Sequence, residues 1–212
     1  IVITLLVLDL SLPAVTENLV HALVGQWSVF LAYIISFAFV GSVWISHSSV
    51  TALMKQETPH SYRLTLLMLF FVSLIPFTTK LMSFYLSNPP TIPDFTGMDL
   101  FSVLLVVNEI GRATLSAPVT IYGLDLLAAS VTLNVIMKSA IRTPGMLADE
   151  SAKTELDAMQ RRQQLGVYTI VVTLICGFLL PIVAVGGYIL VSIVFFITPT
   201  VVIAREKLKK KS

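Results

Sequence analysis

The sequence predicts an all-α, polytopic membrane protein with six transmembrane helices in each subunit. Three observations carry that expectation: an apolar composition, uncharged runs of bilayer-crossing length, and basic residues gathered in alternate connections. The 212-residue chain is 56% hydrophobic and only 12% charged, with a mean hydropathy of +0.88. A water-exposed domain carries about a quarter charged residues. A helix rises about 1.5 Å per residue and a hydrocarbon core is about 30 Å thick, so about twenty apolar residues cross it.

The opening run, IVITLLVLDLSL before Pro13, makes only about half a crossing. Span 1 is therefore expected over about residues 1–12, as the truncated remainder of a longer helix. Span 2, about 27–50, contains the uncharged run Trp27 to Ser46. Span 3, about 64–86, holds Pro76 and reaches past Lys80, whose aliphatic stem can carry its ammonium to the interface. Span 4, about 113–137, is uncharged apart from Asp125. Gln163 to Ala204 has no charge and room for two crossings, about 164–181 and 186–205. Pro181 and Gly186–Gly187 are expected to form the outer turn between them.

Two stretches fall outside this frame. MDLFSVLLVVNEIGR (98–112) has too short an apolar core for a crossing and is expected as an interfacial or re-entrant helix. Its Glu109 and Arg112 stand three apart, on one helical face. The polar stretch 142–163 is expected to form a short charged helix from about Asp149 onward. The whole chain, 1–212, reads as a single six-span domain without an internal repeat.

Charge placement orients the chain. Lys55 and Arg63 flank one connection; Lys138, Arg142, Lys153, Arg161 and Arg162 crowd another; Arg205, Lys207 and Lys209 to Lys211 follow the last span. The intervening connections contain no Lys or Arg. The positive-inside rule then puts both termini and the basic loops in the cytoplasm of a multi-pass cell-membrane protein. The basic tail reads as a lipid-headgroup anchor rather than a nucleic-acid site, and no soluble partner is evident. Cys176 lies within span 5, which leaves no disulfide framework inside the chain.

Enzymatic signals are lacking. The chain has no Gly-rich phosphate loop, no HExxH and no nucleophile-elbow serine. His21, His47 and His60 lie far apart without a Cys or carboxylate at ligand spacing. The expectation is a non-enzyme without a cofactor or bound transition metal.

Ile1, Thr4, Leu5, Leu8 and Leu12 step by three and four and share one helical face. Such a stripe can pack against neighbouring helices, with Thr4 bonded to a carbonyl one turn earlier. Alternatively it can line a narrow pore, with aliphatic rings as constrictions and Thr4 offering a hydroxyl oxygen to a cation. Asp125, mid-span, must be paired, protonated or water-facing, because a charge there costs about 2.5–3.5 kcal/mol on insertion scales. An inter-helix hydrogen bond to a polar neighbour is the favoured reading. The alternative makes the protein a secondary transporter with Asp125 as its coupling carboxylate.

Three segments in order carry a family resemblance. IVITLLVLDL before Pro13 resembles the second half of the first helix of the transmembrane protein 175 family of potassium channels. SFAFVGSVWISHSSV resembles that family's W-x-x-H helix through Trp44 and His47. LLMLFFVSLIPFTTKLM resembles its aliphatic run ending in Pro-Phe, here Pro76–Phe77. The family's Arg and Phe-Ser-Asp signature would lie upstream of Ile1 and is absent from this chain. The resemblance implies a non-canonical potassium channel, a homotetramer in the bilayer with span 1 of each subunit around the axis and no TVGYG-type filter. It implies Ile1, Leu5 and Leu8 as pore-lining gate residues and Thr4 as the selectivity residue, with permeant potassium near it. Trp44 and His47 would brace the pore helix; as interfacial packing residues they need no such role.

Overall fold

The computed structural model describes residues 27–87 and 95–197. Span 1 as expected from the sequence, and the basic tail after 197, lie outside these residues. The described chain forms five helices: α1 (Trp27–Leu53), α2 (Pro59–Ser87), α3 (Leu100–Arg142), α4 (Glu150–Leu179) and α5 (Pro181–Ile197). Among the described residues, four stretches are long and apolar enough to cross a membrane: Val29–Leu53, Pro59–Leu86, Ser116–Arg142 and Glu150–Leu179. The protein is an all-helical, multi-pass membrane protein.

α3 is the central helix, packed on α2, α4 and α5. Its buried stripe is Val119, Tyr122, Leu126, Ala129, Leu133, Ile136 and Ala140, each at most 1% exposed. The steps alternate three and four, which keeps one face turned to its neighbours over six turns. Lipid is as apolar as these side chains, so close packing rather than transfer from water holds the bundle together. The opposite faces of α1, α2 and α4 carry exposed Phe30, Ile34, Leu66, Phe70, Phe77 and Ile175, as lipid contact requires.

Residues 100–112 are not a separate interfacial or re-entrant element. They are the first turns of α3, which runs 43 residues through Gly111 and Pro118. At 1.5 Å per residue it is about 65 Å long, twice a hydrocarbon core. Asp99 starts it, accepting hydrogen bonds from the N–H groups of Phe101 (3.1 Å) and Ser102 (3.3 Å) and from Ser102 Oγ (2.6 Å). Pro118 removes one backbone donor without ending the helix, because its flanking turns are held by the packing of Val119 and Tyr122.

The outer turn between α4 and α5 also differs from expectation. The chain reverses at Leu180, whose N–H bonds the Cys176 carbonyl at 2.7 Å, and Pro181 opens α5 at the position where a missing N–H costs nothing. Gly186 and Gly187 lie inside α5. At Gly187 a Cβ would stand 2.6 Å from Thr173 Cγ2 and 2.8 Å from its Oγ1. The glycine is there for close helix contact with α4, not for a turn.

The two basic connections meet at one end of the bundle. Lys55 N–H donates to the Met146 carbonyl (2.8 Å) and Ala148 N–H to the Leu53 carbonyl (3.1 Å), bridging Met54 and Leu147. Gly145, at φ +76°, gives the chain its bend into this bridge. Beside it, Thr58 and Ser61 cap α2 reciprocally, each side-chain oxygen accepting the other's N–H at 3.2 and 3.0 Å.

Candidate functional site

Ile1, Thr4, Leu5 and Leu8, the pore-lining and selectivity residues expected from the sequence, lie outside the described residues. Trp44 and His47 are described, one turn apart on α1. Trp44 is 64% exposed in the single chain. His47 is half-buried, and its Nε2 lies 3.2 Å from Thr65 Oγ1 on α2. His47 therefore ties α1 to α2, while Trp44 presents a large aromatic surface beyond the subunit.

The interior holds polar groups that the sequence did not bring together. Asp125 is buried, and the Thr78 hydroxyl of α2 lies 2.9 Å from its Oδ2. This is an inter-helix partner of the kind the sequence led us to expect. One turn earlier on α3, Tyr122 lies 3.1 Å from Ser36 Oγ of α1, which lies 2.6 Å from Thr79 Oγ1 of α2. Thr79 Oγ1 in turn donates to the Ile75 carbonyl at 2.6 Å. Three helices are thus stitched at one level by hydroxyls that are all buried. Tyr188 of α5 donates to the Val119 carbonyl at 3.3 Å and packs its ring edge against Tyr122, centroids 5.5 Å apart. Ser36 and Thr79 were missed because a lone hydroxyl in an apolar run gives no sign of which way it faces.

Other features are chemically quieter. Glu109 and Arg112 approach to 3.5 Å on exposed turns, an arrangement of little energetic weight. Gln163 reaches the Ser130 carbonyl at 3.4 Å between α4 and α3. A cavity of about 510 Å³ opens beside it, between Ser46, Met137, Met159, Arg162 and Phe195. Among the described residues no three His, Cys, Asp or Glu side chains stand together as a metal site.

Among the described residues, a helical bundle with four apolar segments of bilayer-crossing length and buried hydroxyls at its centre defines the class: a polytopic helical membrane protein. Its first 76 residues match the family model described as endosomal/lysosomal potassium channel TMEM175. A potassium channel of Chamaesiphon minutus is 26% identical over 199 residues, which is 92% of this chain and 86% of that protein. A potassium channel of Streptomyces collinus is 35% identical over 88 residues, 41% of this chain and 43% of that protein. The crystal structure of a lysosomal potassium-selective channel TMEM175 homolog from Chamaesiphon minutus matches with a TM-score of 0.70 at 23% identity, over 92% of this chain and 88% of that one. In its first 76 residues the chain is similar to the TMEM175 family, and its fold matches that of the solved homolog.

Proposed function

We propose that this protein is a potassium-permeable channel, a homotetramer whose pore is lined by the first helix of each subunit. The observation that carries this reading is likeness along nearly the whole chain to a protein named as a potassium channel. The matched segment of the family model, residues 1–76, includes the stripe Ile1, Thr4, Leu5 and Leu8. Rings of Ile1, Leu5 and Leu8 around a four-fold axis exclude water when tight, so a cation meets a dehydration barrier that a modest widening removes. A ring of Thr4 hydroxyls supplies neutral oxygens that hold potassium weakly enough to let it pass. The His47–Thr65 contact supports a bracing role for α1, with Trp44 available to the neighbouring first helix. Both termini are placed in the cytoplasm by the positive-inside rule.

Flux through reconstituted liposomes tests the reading. Leu5→Ala and Ile1→Ala should raise potassium flux several-fold, and Thr4→Val should shift the potassium–sodium reversal potential. Unchanged flux from both alanine variants removes span 1 from the pore. Asp125→Asn should leave conductance intact; loss of all transport with it would favour a coupled transporter instead.

A further inference from the structure

The cavity of about 510 Å³ beside Gln163 falls within the range of about 300–1,000 Å³ usual for small-molecule sites. One wall is a face of α4, on which Met159, Arg162, Gly166 and Thr169 step by three and four. Ser46 of α1, Met137 of α3 and Phe195 of α5 help to close it. Gly166 lets the Phe195 ring press against the α4 backbone, where a Cβ would overlap it. The same ring meets Phe39 edge-on, centroids 6.5 Å apart. Gln163, 4% exposed, holds the adjoining wall through its Nε2, 3.4 Å from the Ser130 carbonyl.

Two properties point to an amphiphile. First, the walls are largely apolar, and Leu165, Leu190 and Val194 at the rim are exposed on faces that meet lipid. A resident water needs about two to four polar partners, which such walls do not supply, whereas a hydrocarbon chain enters from the bilayer without leaving apolar surroundings. Second, Arg162 is the last charged residue before the uncharged run Gln163 to Ala204. Its guanidinium therefore sits at headgroup level, and from there to Thr169 the α4 wall rises about 10 Å toward the hydrocarbon. Among the described residues, no carboxylate pairs with Arg162. A guanidinium fork matches phosphate oxygens bidentately.

We propose that this cavity binds an anionic phospholipid, its phosphate on Arg162 and one acyl chain laid between α4 and α5 against Met137 and Phe195. The unpaired positive charge selects a headgroup of net negative charge over a zwitterionic one. The site is separate from the stripe assigned to conduction and stands whether or not the channel reading does. A lipid seated there touches α1, α3, α4 and α5 at once and ties them together at the Arg162 end of the bundle.

Photo-crosslinking tests this directly. The whole protein is reconstituted in phosphatidylcholine vesicles doped with phosphatidylglycerol that carries a diazirine on its acyl chain, and labelled peptides are mapped by mass spectrometry. Label should fall on Met137, Met159, Leu190 or Phe195 and drop several-fold in Arg162→Gln. Arg161→Gln, next to it but not lining the cavity, should leave the label unchanged. Thr169→Phe, which fills the cavity from an exposed wall position, should remove the label with both arginines intact. The same diazirine on phosphatidylcholine should label the cavity several-fold less, and excess inorganic phosphate should displace nothing. Equal labelling by the two lipids, or equal loss from Arg161→Gln and Arg162→Gln, overturns the proposal. So does displacement by inorganic phosphate, which marks a site for the free ion. A cavity without label, as a second copy of the chain covering it would leave, overturns it too. Should Arg162→Gln fail to fold, the two lipids on the wild type and Thr169→Phe still decide it.

Discussion

Asp99 shows how one side chain fixes an element. Its carboxylate takes two backbone N–H groups and the Ser102 hydroxyl at the open end of α3. The Ser102 hydrogen bonds hold its carboxyl below the ordinary carboxylate value. Stabilisation from such a group is present above the unfolded pKa and disappears as pH falls through the lowered folded one. Hydrogen exchange on the first turn of α3 should therefore stay slow at neutral pH and lose protection only at strongly acidic pH. Asp99→Ala should lose it throughout, with Leu133 to Ala140 unaffected. A cap of this kind is legible in sequence, because Asp before an apolar helical run is a start signal. The partner of Asp125 was legible only as a requirement. A mid-span acid demands a polar neighbour, but which of Ser36, Thr78 or Thr79 supplies it depends on how α1 and α2 are rotated against α3, which the sequence does not state.

Glycines decide how closely the helices approach. A Cβ on Gly123 would overlap the Tyr188 phenol and stand 2.6 Å from Leu174 Cδ1. Gly123→Ala should therefore force Tyr188 off the Val119 carbonyl and cost about 1–3 kcal/mol, the range for overpacking a filled interior. Chemical denaturation of the detergent-solubilised protein measures it, and Gly186→Ala, at a helical position with open space around it, is the control for general tolerance. The same physics explains the misplaced turn near residue 186. Pro and Gly both mark chain reversals in water-exposed segments, yet between membrane helices small residues also mark close contact. Gly187 against Thr173 is of the second kind. Residues 100–112 misled in the opposite direction. Their apolar core is short, but length alone cannot say whether a short run stands by itself or continues the next helix through Gly111 and Pro118.

Across the entire bundle, the alternation of basic connections was the most informative pattern in the sequence. The structure brings Lys55 and the 143–148 segment to the same end through backbone hydrogen bonds. Which side of the membrane that end occupies is testable with introduced cysteines once Cys176 is replaced by alanine. Ser151→Cys should react with an impermeant maleimide only from the cytoplasmic side, and Met98→Cys, at an exposed position, only from outside. Reaction of both from one side refutes the six-crossing topology. The cross-loop pairing also constrains how the protein moves. Because Leu53 and Lys55 are bonded to Ala148 and Met146, the adjoining ends of α1, α2, α3 and α4 share one short two-stranded buckle. A pull applied at either loop reaches all four helices together, so rearrangement at that end proceeds as a swing of the fastened group and not as the slippage of a single rod.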